Sequence, residues 1–206
     1  MRKGKVLSLK TVEFVAKNNI LAVLFVLITS GVAVGIFTES KLQVLSQYSA
    51  SYVERFVALR SGESFVSVAL SSFMSSALVL LVLFAAGTSM LGVVLVPFLA
   101  ALQGVFYGGV SALLYSEYSV KGIAFNAVLI VPSAFVFVVA LLLAARESMR
   151  FSLIIAKMSL PGSPSVNLSF DFRNYCGRYL FIVLIALASA LTDAVLSCSF
   201  LDSLML

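Results

Sequence analysis

The chain has 206 residues, 61% of them hydrophobic and 11% charged, with a mean hydropathy of +1.11. A soluble domain this poor in charge would expose apolar patches large enough to aggregate, so a soluble enzyme or carrier is excluded. The net charge of +5 does not point to nucleic acid, because the basic residues lie in short segments between long apolar blocks.

Those blocks run from Asn19 to Phe37, Phe65 to Tyr115, Ile123 to Ala145 and Tyr179 to Phe200. A helix needs about 20 apolar residues to cross a bilayer. The second block is too long for one crossing and must fold back. The expected architecture is an all-α bundle of five transmembrane helices. No linker or charge run bounds a second domain, so residues 1–206 read as a single membrane domain. Arg2, Lys3, Lys5, Lys10 and Lys17 precede the first helix, and Arg146, Arg150, Lys157, Arg173 and Arg178 lie between the fourth and fifth. With five crossings these segments fall on one side. The expected placement is therefore a multi-pass protein of the cytoplasmic membrane, N-terminus inside and C-terminus outside.

In chain order, Val6, Leu9, Val12 and Phe14 among the lysines predict a short helix on anionic headgroups. The first span covers about 19–37. Its basic n-region resembles that of a signal peptide, but its length and the Gly31–Gly35 spacing suit helix packing better than cleavage. Residues 38–64 form an external segment. Leu42, Leu45, Tyr52, Phe56 and Leu59 repeat there at helical spacing against a polar face, predicting an amphipathic helix that ends near Gly62. It lies either on the outer leaflet and bundle or presents a docking surface to an extracytoplasmic partner.

The second span covers about 65–86 and the third about 90–115, joined by a turn at Gly87-Thr88-Ser89 whose hydroxyls can cap the next helix. Pro97 falls in the first turns of the third span or kinks it. Gly104 and Gly108 make a small-xxx-small face matching Gly31 and Gly35, which favours packing within the chain over self-association. The fourth span, about 123–145, carries Pro132 in its middle. Asn126 and Ser133 are candidates to satisfy the carbonyl that Pro132 frees. Pro161-Gly-Ser-Pro164 predicts a turn-rich loop. Phe170, Phe172, Tyr175 and Tyr179 predict an interfacial aromatic girdle leading into the fifth span, about 179–200.

Catalytic chemistry is hard to assemble here. The chain has no histidine, which removes Ser–His sites and histidine metal sites, and no phosphate-binding glycine loop. No catalytic residue, cofactor or metal is expected. Cys176 and Cys198 would lie about 33 Å apart on one helix and cannot pair, so they read as packing residues. Asp193 is the clear intramembrane charge. It is either an ion or partner contact, or a carboxylate reaching outer headgroups or capped by Thr192. Gln103 and Asn126 are the other polar residues at depth. Arg146 and Glu147 read as an exposed interfacial pair.

Gly87-Thr-Ser-Met-Leu-Gly92, Gln103-Gly-Val-Phe-Tyr-Gly-Gly109, Lys121-Gly-Ile-Ala-Phe and Ile130-Val-Pro132, in this order and spacing, resemble the stage II sporulation protein M family. The resemblance is specific over roughly residues 84–152, where Gly87, Gly92, Gly104, Gly108 and Pro132 fit its helix-packing positions. The family often has a lysine where Gln103 stands, and Pro-Gln-Asn where this chain has Pro132-Ser133-Ala134. The resemblance implies a membrane protein without catalysis of its own. It implies an anchor for the engulfment complex of sporulating bacteria, which recruits membrane-tethered peptidoglycan hydrolases (stage II sporulation proteins D and P). A different class remains open: a permease-like transporter subunit, for which Asp193 and the prolines at depth speak.

Overall fold

The computed structural model describes residues 3–158 and 168–201, with side chains from residue 19 onward. The protein is all-α. Its elements are α1 (Lys3–Glu39), α2 (Gln43–Ala58), α3 (Phe65–Gly87), α4 (Gly92–Phe125), a π-helical turn (Asn126–Ile130), α5 (Val131–Met158) and α6 (Leu168–Phe200). Among the described residues, four stretches are long and apolar enough to cross a membrane: Asn19–Glu39, Phe65–Gly87, Gly92–Met158 and Leu168–Phe200. The third holds 67 residues. As a straight helix it would run about 100 Å, several times a bilayer core.

It does not run straight. Ser119 sits at φ 48°, ψ −126°, outside helical space, and the surrounding residues 115–121 are exposed. Beyond Ser119 the chain returns along α4. Asn126 Nδ2 donates to Ser111 Oγ at 3.1 Å and to Tyr115 Oη at 2.8 Å. Gly122 lies so close to the Leu114 carbonyl that a Cβ there would overlap it. The expected loop over 116–122 between the third and fourth spans is thus a tight helical hairpin at one residue, while the long Phe65–Tyr115 block folds back earlier, between the end of α3 at Gly87 and the start of α4 at Gly92.

Helix direction follows from such contacts. Gly31 abuts Ala101 and Val105, and Gly35 abuts Val105 and Gly109, so α1 and α4 run parallel. Ser133 and Ser148 of α5 meet Ser189 and Tyr175 of α6, and Ser72 and Phe84 of α3 meet Asp193 and Tyr175 of α6, so both pairs are antiparallel. Hence α1, α4 and α6 point one way, and α3 and α5 the other.

The α1–α4 seam is made by the two small-xxx-small faces meeting each other. A Cβ at Gly104 would overlap the Ile28 carbonyl, and one at Gly108 the Val32 carbonyl. Around the seam, Leu24, Ile28, Val96 and Ala100 join Leu83, Phe137, Leu141 and Ile182 in the main core. A second core, under α2, gathers Val53 and Phe56 with Val110, Leu113, Phe125, Leu129 and Leu201.

Several local expectations are corrected. The helix at the start of the chain is continuous with the first span, as α1; the lipid contacts expected of Val6 to Phe14 lie outside the described side chains, and the loop expected at Pro161–Pro164 lies outside the described residues. α2 ends at Ala58, before Gly62, which turns the chain at φ +73°. Thr88 and Ser89 do not cap α4. Their hydroxyls return to the Ala85 and Ala86 carbonyls at the end of α3, so they finish one helix rather than start the next. Pro97 sits in α4 without a break. Pro132 is accommodated by the π turn before it, where the Val131 amide reaches back to the Asn126 carbonyl. Neither expected donor reaches the Val128 carbonyl that Pro132 frees: Ser133 donates to the Leu129 and Ile130 carbonyls at 3.3 and 3.1 Å, and Asn126 turns to α4. The aromatic girdle is split: Phe170 and Phe172 are exposed, Tyr175 and Tyr179 buried. Cys176 is half-buried and Cys198 exposed, so Cys198 does not pack in the core.

The seam sets a contrast between glycines. Gly108→Ala is expected to destabilise the protein by about 1–3 kcal/mol through overpacking. Gly177→Ala, where nothing lies within 4 Å, is expected to stabilise it by about 0.5–1 kcal/mol through helix propensity. Thermal unfolding in detergent separates the two, and equal melting temperatures would contradict a backbone-to-backbone seam.

Candidate functional site

Polar side chains at depth gather at the two ends of the bundle. The first group begins where α2 gives way to α3. Arg60 lies after the end of α2, two residues before the Gly62 turn, and its side chain runs back into the bundle. Its Nη2 lies 2.5 Å from Asp193 Oδ2 of α6 and 2.9 Å from Ser72 Oγ of α3. Nη1 donates to the Phe56 carbonyl at 3.1 Å, and the guanidinium stacks 3.5 Å from the Phe56 ring centroid. Ser72 also donates to Asp193 Oδ2, and Ser197 Oγ is 3.5 Å from Oδ1. The two charged side chains are only 8% and 6% exposed.

Asp193 therefore neither reaches headgroups nor takes a cap from Thr192, whose hydroxyl donates to the Ser189 carbonyl at 2.7 Å. Its charge is met by Arg60, and Oδ2 accepts from two donors. This is a closed ion pair rather than a carboxylate waiting for an ion. Arg60 and Ser72 were not singled out by the sequence. Their pairing with Asp193 spans more than 120 residues, and nothing local announces it.

The face proposed for docking is turned inward. Phe56 is buried and meets the Phe125 ring at 5.9 Å, while Tyr52 meets the Phe106 ring edge-on at 4.9 Å. Leu45 is half-buried beside Gly109. Only Leu42 and Leu59 of the five stand exposed. The helix is amphipathic because it packs on the bundle. Burial pushes the Tyr52 phenol above its usual range, and Arg60 nearby opposes this, so Tyr52 remains a neutral hydroxyl. Gln103 lies one helical turn from Tyr107 on α4 and is half-buried. Asn126, with its two donor bonds to α4, locks the hairpin but leaves Oδ1 buried without a partner.

The second group lies at the opposite end, on the Gly87–Gly92 turn. Tyr175 is stacked between Phe84 and Phe151, with ring centroids at 4.9 and 4.7 Å. Its hydroxyl donates to the Phe84 carbonyl at 3.1 Å. Ser148 Oγ bonds both the Tyr175 and Tyr179 hydroxyls, at 3.1 and 2.9 Å. Ser152 donates to the Ser89 carbonyl at 2.7 Å. A Cβ at Gly87 would lie 2.5 Å from the Tyr175 hydroxyl and 2.8 Å from Ser148 Cα, and one at Gly92 would overlap the Ala86 carbonyl. These glycines are required by contact, because the turn is pressed onto α5 and α6. Nearby, Glu147 bridges Arg178 at 2.7 Å and Arg150 at 3.2 Å. Arg146 is not its partner, and its Nε is buried without one.

Ser72 donates to a carboxylate, but Arg60 is paired with that same oxygen, and Ser148 has tyrosine hydroxyls beside it; no group of metal-binding side chains is found among the described residues. What the arrangement does is hold helices together. Tyr175→Phe is expected to cost about 1 kcal/mol in lost hydrogen bonding. Gly87→Ala is expected to cost about 1–3 kcal/mol in overpacking. Because the tyrosine oxygen is part of what the added methyl meets, the double variant should lose less than the sum. A double-mutant cycle on thermal stability measures this, and strict additivity would contradict the contact.

No curated protein and no solved structure was found to match the chain. The family described as stage II sporulation protein M matches residues 20–197, a range that takes in the α1–α4 seam, the Gly87–Gly92 turn and the Arg60–Asp193 pair. With most of its length covered, the chain belongs to the stage II sporulation protein M family of membrane proteins.

Proposed function

We propose that the chain crosses the cytoplasmic membrane five times, N-terminus inside and C-terminus outside, as a non-catalytic scaffold that positions membrane-anchored peptidoglycan hydrolases. The observation that carries the reading is how the buried polar groups are used. Asp193, Arg60, Ser72, Ser148, Tyr175 and Tyr179 bond one another or backbone carbonyls, so the polar groups at depth serve to hold helices together. Family membership and the hydrolase anchoring that the sequence resemblance implies point the same way.

The crossing number is supported by helix direction. The alternation of α1, α3, α4, α5 and α6 is what five successive crossings require, and the Ser119 hairpin divides the 67-residue stretch into two. The basic segments then share one side, which is the cytoplasmic side under the positive-inside rule. A reporter enzyme active only outside the membrane is expected to be active when fused after Glu63 and inactive when fused after Ser159. The opposite pattern would reverse the orientation.

With Tyr52 and Phe56 engaged in the bundle, contact with a hydrolase falls to the exposed side of the external segment, where Leu42, Val44, Tyr48 and Leu59 stand in the open. Val44→Asp with Tyr48→Asp is expected to cut recovery of cross-linked hydrolases from native membranes at least fivefold while leaving the protein inserted. Undiminished recovery would sink the docking surface, and recovery of a cytoplasmic ATPase in place of hydrolases would sink the scaffold in favour of a permease-like subunit.

A further inference from the structure

We infer that α2 is a hinged cover on one end of the bundle and that the Arg60–Asp193 pair is the latch that holds it shut. The inference concerns the chain's own motion and does not depend on which partner the protein holds.

α2 is attached by short turns at both ends, residues 40–42 and 59–64, the latter with Gly62 at positive φ. Its body packs on α4 and, near its start, α1. It covers an aromatic floor made by Phe106 and Phe125. The seat is imperfect. Among the described residues four buried side-chain atoms lack a hydrogen-bond partner: Ser49 Oγ, Arg60 Nε, Asn126 Oδ1 and Arg146 Nε. The first three lie on α2, in the turn after it, and beside the Phe125 ring that Phe56 covers. Polar atoms shut in without partners oppose closure, because each regains water when the cover lifts.

Closure is therefore held by the apolar face and by Arg60. Among the described residues, Arg60 carries the hydrogen bonds that tie the α2 segment to α3 and α6, through Ser72 and Asp193. Its neighbours at the site are Ser72, Ser197, Tyr52 and the Phe56 ring, and none of these carries a second positive charge to replace it. Loss of either member leaves the other charge buried and unpaired unless the segment moves. Lifting α2 carries Arg60 out to water and opens Asp193 to it. Local opening is thus the route by which a broken pair relaxes, while the helices joined at the α1–α4 seam stay together.

Thiol labelling tests this on the full chain in lipid nanodiscs, with Cys176 and Cys198 replaced by serine. Ser49→Cys reports on the cover, since Ser49 is fully buried against Gly109. Ser152→Cys, fully buried at the opposite end, reports on the bundle. With a small soluble maleimide, Arg60→Gln and, separately, Asp193→Asn are each expected to speed labelling at Ser49→Cys at least tenfold and to leave Ser152→Cys unchanged. Unchanged labelling at Ser49→Cys would overturn the latch, since the apolar face alone would then hold α2. Acceleration at both reporters would also overturn it, since the pair would then stabilise the whole bundle rather than its cover.

Discussion

The structure depends on two backbones being able to touch. Lipid tails are as apolar as leucine, so helices in a bilayer gain nothing by hiding apolar surface from it and must associate through close packing and polar bonds. In α1 and α4 the side chains are removed where the axes approach, at Gly31, Gly35, Gly104 and Gly108, and each glycine faces the carbonyl or amide of the other helix. The pair is parallel, which constrains everything between. A chain that leaves the end of α1 must return to the starting side before α4 can begin. α3 makes that return, and α2 occupies the connection at the far end.

Once α1 and α4 are joined, α3, α5 and α6 complete the bundle by different means. α3, α5 and α6 are knitted by hydroxyl-to-carbonyl bonds and by the Phe84–Tyr175–Phe151 stack. The Arg60–Asp193 pair is the exception, since charge is expensive to bury. Replacing such a pair by apolar residues is often neutral or stabilising, whereas removing one member costs about 3–5 kcal/mol. Its presence is thus poorly explained by stability alone. What it does is link three separate parts of the chain: the α2–α3 connection, α3 and α6.

Much of the fold was legible because each span is long, apolar and bounded by charge, and because two glycine pairs at matching spacing anticipate a seam. The fold-back of the Phe65–Tyr115 block followed from its length and from Gly87 at its turn, but the reversal between the third and fourth spans has no such marker. Ser119 carries the reversal without a glycine or proline to mark it. The residues of the candidate site were less legible. Asp193 stood out as a charge at depth, but its partners are distant in sequence and could not be read from spacing. The amphipathic pattern of α2 was visible and its destination was not, because a face that packs on a bundle and one that binds a partner obey the same periodicity. Tyr175 and Tyr179 fit an interfacial girdle by sequence for a similar reason. Ser148, which gives their hydroxyls a buried partner, lies on another helix.

The two ends of the bundle are built on different principles. At the Gly87–Gly92 end the turn is fixed by backbone carbonyls accepting from Tyr175 and Ser152, in contacts too close to admit a methyl group. Such an end cannot shift without breaking several bonds together. At the α2 end, an apolar face and an ion pair close a seat in which polar atoms on both sides stay unpaired. Motion in a packed protein belongs to the parts whose contacts are few and imperfect. If the basic segments mark the cytoplasm, the rigid end lies inside and the releasable end outside. A scaffold whose partners are outside needs that division: one end to hold the helices in register and the other free to answer what binds there.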